Sequence, residues 1–238
     1  MDGALPDLAL SAPIGQRALL HLWLSPAFPV GAFAYSHGLE QAAERGWVRD
    51  RSTLAAWLDD IVTHGALGND LVLLAAAWRV TIDGNAAALR DVAELSVALQ
   101  PSAERHLETT QQGRSFVAAM ASAWPNPAVA ALEELVGEID VGYPVAVGSA
   151  TAGHGVGLSD TLTAYALAFV SNLASAAIRL SVVGQIDGQR VMAGLMPALE
   201  CAVQRAAASS LDDLGSATVR SDISSLAHET QYSRLFRS

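Results

Sequence analysis

Lysine is missing from this 238-residue chain, and all 14 of its basic side chains are arginine. A Walker A phosphate loop, a Schiff-base lysine and a lysine general base are therefore excluded. Cysteine is nearly missing as well. Cys201 stands alone, so no internal disulfide and no thiolate metal cluster can form, and its helical setting in PALECAVQRAA predicts a buried, inert thiol. Charge is sparse, at 16% of residues, and leans acidic, with a formal net charge of -10 and a pI near 4.9. With no concentrated basic face to neutralise phosphates, a nucleic-acid partner is not expected. Aromatic residues make up only 6%, and no run of alternating β-branched residues marks a strand. Residues Met1 to Ile14 lack a basic n-region and carry Asp2, Asp7 and two prolines, so no secretory leader is expected and a cytoplasmic location is the default.

What remains is an Ala- and Leu-rich chain that is 51% hydrophobic, long enough for one substantial core. Apolar residues recur at three- and four-residue steps along most of it. Leu54, Trp57, Leu58, Ile61 and Val62 form one stripe after a Ser52 cap candidate, and Leu71, Leu74, Ala75 and Trp78 form the next. Asp83-Gly84-Asn85 reads as a turn before Leu89, Val92, Leu95 and Leu99. Pro101 separates that element from a polar helix over Ser102 to about Ala121, with Leu107, Phe116, Val117 and Met120 inward, and Trp124-Pro125-Asn126-Pro127 stops it. Leu162, Tyr165, Phe169, Leu173, Ala176, Leu180 and Val183 mark the longest helix, closed by Gly184 and an Asp187-Gly188 turn, and Val191 to Ala208 supplies one more. The expected fold is all-α, a single-domain bundle of about eight to ten helices. Its expected organisation is an N-terminal flexible segment over residues 1–14, a helical domain over 15–210 and a C-terminal tail over 211–238.

Thr161 to Ile178 is uncharged, yet it is Ala-rich and interrupted by Ser171, Asn172 and Ser175, which suits a buried bundle helix better than a membrane span. The glycines at 142, 148, 153, 155 and 157 lack the GK[ST] sequence and the preceding strand of a phosphate cradle, so close helix packing through small residues is the better reading. The six histidines show no HxxxH or HExxH spacing; His37 near Glu40 and His228 beside Glu229 leave a weak surface metal site open, and no cofactor is expected. Glu104 and Glu108 fall at i, i+4, but Arg105 and Thr109 around them point to a solvated face. No GxSxG elbow is present.

Two segments stand apart. LWLSPAFPVGAFAYSHGLEQAAERGW, from Leu22 to Trp47, sets two prolines, a glycine and the rings of Phe28, Phe33 and Tyr35 directly before a helix start, more apolar surface than a solvated loop needs. At the other end, a polar stretch after Leu211 turns abruptly aromatic and basic in HETQYSRLFRS, a composition suited to a docking segment. SPAFPVGAFAYSHGLE followed by GWV resembles the N-terminal signature of the UreF family of urease accessory proteins, and HETQYSRLFRS resembles that family's C-terminal signature. The resemblance implies an all-helical, homodimeric, non-catalytic assembly factor that bridges the accessory protein UreD (also called UreH) and the GTPase UreG, and so reaches the urease apoenzyme to promote nickel insertion. Carried onto this chain, it places partner-binding residues at Pro29, Gly31, Phe33, Tyr35, Ser36, Glu40, Tyr232, Arg234, Phe236 and Arg237. The tail, led by Arg234, is expected to fold against the Phe33 loop when the UreD-type partner binds, with Arg234 donating to loop carbonyls. A helical adaptor unrelated to urease, or a small-molecule-binding enzyme using the Gly142–Gly157 stretch, are the alternatives.

Overall fold

The computed structural model describes residues 14–237, so the expected flexible segment over 1–14 falls almost wholly outside the described residues. Eleven α-helices and no strand occur among them: α1 (Ile14–Trp23), α2 (Leu39–Glu44), α3 (Arg51–His64), α4 (Ala66–Ile82), α5 (Ala86–Ala98), α6 (Ala103–Ala123), α7 (Pro127–Glu138), α8 (Tyr143–Gly153), α9 (Leu158–Arg179), α10 (Gln185–Ala208) and α11 (Val219–His228). Only Gly65, in an extended conformation, separates α3 from α4, and the whole is in keeping with the expected all-α bundle of about ten helices.

Local chemistry explains the breaks. Asp50 caps α3 through the Thr53 amide in a reciprocal capping box, so the cap lies two residues before the expected Ser52. Asn85, Ser102 and Asn126 cap α5, α6 and α7, each side chain accepting the amide three residues on, and Pro127 occupies the first turn of α7. Asp187 and Gly188 do not form the expected turn; they lie inside the first turn of α10, which starts six residues earlier than expected.

The core is organised around α4 and α8. Residues Pro144 to Ala152 of α8 are buried on every side, which only small side chains permit. At Gly148 a Cβ would lie 2.4 Å from the Leu74 carbonyl oxygen, so glycine is what lets these two helices meet backbone to backbone. Around this pair pack α6, α7 and the antiparallel α9 and α10, with α3 against α10. The runs Arg51–Ile82 and Leu158–Arg179 are long and apolar enough to cross a membrane, but in this fold 61% and 50% of their most apolar windows are buried against other helices. Cys201 is exposed, contrary to expectation, because α10 turns that face outward, and Leu107 is likewise 45% exposed.

After α10 the chain runs back along α3 and α4. Arg79 donates to the Ser209 and Ala207 carbonyls, the Gly215 amide donates to Asn69, and the Ala217 amide donates to the His64 carbonyl. This route delivers α11 to α2 and α6, where the C-terminal segment meets the loop before α2.

Candidate partner-binding site

The loop after α1 is shaped by its special residues. Gly31 takes a left-handed conformation before a 3-10 turn at Ala32–Ala34, and His37 and Gly38 are left-handed in succession before α2. Ser36 is buried and its hydroxyl accepts from the Glu40 amide at the start of α2. Phe28 and Tyr35 turn inward, Tyr35 donating to Gln111 at 2.6 Å, whereas Phe33 remains 64% exposed. Burial raises the Tyr35 hydroxyl above its usual pKa, Glu108 adds to this, and Arg237 opposes it.

Helix α11 is packed inside out. Its buried face carries Ser224, Ser225 and His228, while Val219, Ile223 and Leu226, at i, i+4 and i+7, face outward. The inward side fits Gly38 closely: a Cβ there would lie 2.7 Å from the Ser225 amide nitrogen. Ser225 meets Ser102 at 2.6 Å, and Glu229 accepts from the Ala103 amide at the exposed start of α6.

Two carboxylates then collect the tail. Glu104 of α6 lies 2.7 Å from His228 Nδ1 and 2.8 Å from Arg234 Nη1. Glu40 of α2 lies 3.2 Å from His228 Nε2 and accepts the amides of Leu235 at 2.7 Å and Phe236 at 2.9 Å. Both imidazole nitrogens thus face carboxylate oxygens. The Arg237 amide donates to the Ala34 carbonyl, and Phe236 is buried beneath Arg179, whose guanidinium lies 4.4 Å from the ring centre and donates to the Phe33 carbonyl at 2.6 Å. Tyr232 is fully exposed and Leu235 is 63% exposed.

A second charged layer lies under the loop. His37 Nε2 is 2.8 Å from both Arg105 and Glu108, Arg105 donates to Glu108, and Asp70 accepts from the Tyr165 hydroxyl at 2.9 Å. Burial lowers His37, with Arg105 adding to the effect, which favours the neutral ring. Burial alone would raise Glu108, but Arg105 and His37 outweigh it and hold the carboxyl at about 2. Asp70, with Arg105 farther off, is pushed up to about 6 by burial.

Of the expected residues, Tyr35, Ser36, Glu40, Arg234, Phe236 and Arg237 converge on this junction, while Pro29, Phe33 and Tyr232 are exposed around it and Gly31 shapes the turn. Arg234 does not donate to loop carbonyls; it reaches the Glu104 carboxylate, and the loop carbonyls are taken by Arg179 and the Arg237 amide. The expected solvated face at Glu104 and Glu108 is buried, because the tail and loop cover it. His37 and His228 are buried too, so neither pairs at the surface with the expected carboxylate. Arg179 and Asp70 are not among the expected residues, and Glu104 and Arg105 were expected only on a solvated face. Positions 104, 105, 108, 109 and 112 share one helical face, a spacing visible in the sequence, but their polar composition reads as solvated.

Fold and site together define an all-helical protein whose most extensive polar geometry holds its N-terminal loop and C-terminal segment together at the surface. A sequence profile described as UreF matches residues 48–196. A protein of Methylobacterium radiotolerans is 56% identical over 220 residues, 92% of this chain and 95% of the relative; one of Rhodopseudomonas palustris strain BisB5 is 52% identical over 239 residues, 98% of each. A third, from Xanthobacter autotrophicus strain Py2, is 52% identical over 95% of this chain and 93% of its own length; all three are named urease accessory protein UreF. The chain belongs to the UreF family of urease accessory proteins.

Proposed function

We propose that this chain is a non-catalytic urease maturation factor that works in the cytoplasm, as a homodimer, bridging a UreD/UreH-type accessory protein and a UreG-type GTPase so that nickel, the cargo, is inserted into the urease apoenzyme. The observation that carries the urease role is identity of 52–56% over nearly the whole chain to proteins named urease accessory protein UreF. The adaptor reading draws support from the junction of loop and tail. It leaves Phe33, Tyr232 and Leu235 exposed, along with the apolar stripe Val219, Ile223 and Leu226 on α11, all of which suit burial by a protein partner. In this reading partner binding holds residues 211–238 in the docked position, and Arg234 acts through Glu104.

Co-expression with UreD and UreG from the same genome, followed by size-exclusion chromatography with light scattering, tests the proposal. A complex of all three that loses its partners when residues after Asp222 are removed is the expected result. A full-length chain that stays alone beside well-folded partners overturns it.

A further inference from the structure

Beneath the loop lies a cavity of about 310 Å³ that no residue of the C-terminal tail lines. Its mouth is formed by the exposed Pro26 and Phe33 and, from α9, by Ser171 and Ser175. Its walls are mainly apolar and aromatic, with Phe28, Val30, Tyr143, Ala168 and Phe169 among them. Its floor carries the buried charged layer: Asp70, Arg105, Glu108 and His37.

The charges on that floor do not balance. Arg105 is committed to Glu108 by a direct ion pair. Asp70, 6% exposed, receives one hydrogen bond, from Tyr165 to Oδ2, and among the described residues no donor reaches Oδ1. Burial pushes Asp70 up to about 6, and Arg105, held by Glu108, offsets that only in part. A buried carboxylate gains most from a partner of opposite charge, and aromatic faces around it favour the same sign of ligand. A calcium or magnesium ion wants six or more oxygen ligands, which these walls do not offer, no group of three or more His, Cys, Asp or Glu placed to hold a metal ion occurs among the described residues, and a bare ammonium ion would leave most of the volume empty.

We propose that this cavity binds a small organic monocation, a primary ammonium on an apolar body, with its charged end against Asp70 and its body among the aromatic walls. The site does not rest on the adaptor role, although Phe33 at its mouth is shared with the surface given to a partner, so the test uses the free chain. 2-Phenylethylamine is the probe, with the neutral 2-phenylethanol and the anionic 3-phenylpropionate as controls, in thermal-shift and saturation-transfer NMR measurements on the purified full-length chain. The amine is expected to raise the melting temperature at millimolar concentration, to bind about tenfold or more tighter than the alcohol, and to bind more weakly near pH 5 than near pH 7.5, as Asp70 takes up its proton. The propionate is expected not to bind. Asp70→Asn should remove the preference for the amine. Ser171→Trp, at the exposed mouth and away from the charged floor, should block binding while leaving the fold intact, and it decides the matter if the Asp70 variant fails to fold. No binding of the amine, equal binding of amine and alcohol, or amine binding unaffected by Ser171→Trp would overturn the proposal.

Discussion

Replacing Glu40 by glutamine removes one charge and turns one acceptor oxygen into a donor while keeping the side chain's shape. In the native chain Glu40 Oε1 accepts the Leu235 amide, and Oε2 accepts the Phe236 amide and faces His228 Nε2. Whichever way the amide group of glutamine turns, its NH2 meets at least one donor that has lost its acceptor. Hydrogen bonds to a charged group contribute about 1.5–3 kcal/mol each, so losing one or two weakens docking of the tail by about 2–5 kcal/mol. Burial of Phe236 and the Arg234–Glu104 pair remain to hold the segment. The expected result is local: at about 1.4 kcal/mol per tenfold change, hydrogen exchange at the Leu235 and Phe236 amides should accelerate at least thirtyfold or so, while amides of α4 and α8 keep their protection. If the tail amides exchange at the wild-type rate in Glu40→Gln, the carboxylate is not what holds the tail and the reasoning fails.

Arg179→Ala should divide the tail more finely. It removes the donor to the Phe33 carbonyl and the cation over Phe236, together about 1–2 kcal/mol, so the Arg237 amide should exchange faster while Leu235, held by Glu40, stays protected; equal acceleration at both would contradict this. Gly148→Ala would drive a Cβ into the Leu74 carbonyl and should cost about 3 kcal/mol or more in urea unfolding, whereas Gly194→Ala, with open space around it in α10, should stabilise by about 0.5–1 kcal/mol; a neutral Gly148→Ala would refute the close approach of α4 and α8. Asp70→Asn should make stability less dependent on pH. Asp70 binds its proton more tightly folded, at about 6, than unfolded, so wild-type stability falls as pH rises from about 4 to about 6 and the cost persists above it. The asparagine variant lacks that cost, of up to about 3 kcal/mol, so it should melt higher than wild type near pH 7.5 and lose the advantage near pH 4. A difference that does not vary with pH would show that Asp70 does not titrate as described.

Much of this architecture could be read locally. Helix periodicity, the Asp83-Gly84-Asn85 turn and the Pro127 boundary correspond to helices and breaks in the structure, and the loop and tail stood out by composition and by their likeness to one family. Periodicity shows which residues share a helical face, but not what covers that face. On α6 a polar stripe is buried, and on α11 the polar face is inside and the apolar one outside. Glu40 meets its donors 188 to 196 positions away, across the whole bundle. Such pairings depend on where α11 is delivered by the segment along α3 and α4, and only the packed chain determines that. The residue pattern was enough for most of the helices and for the family, but not for the cap of α3, the start of α10 or the existence of α1 and α11. Packing assigned Arg234 to Glu104, joined loop to tail through Arg179 and left Asp70 without an ion pair among the described residues, because partner choice for a buried charge is set by proximity in space and not along the chain.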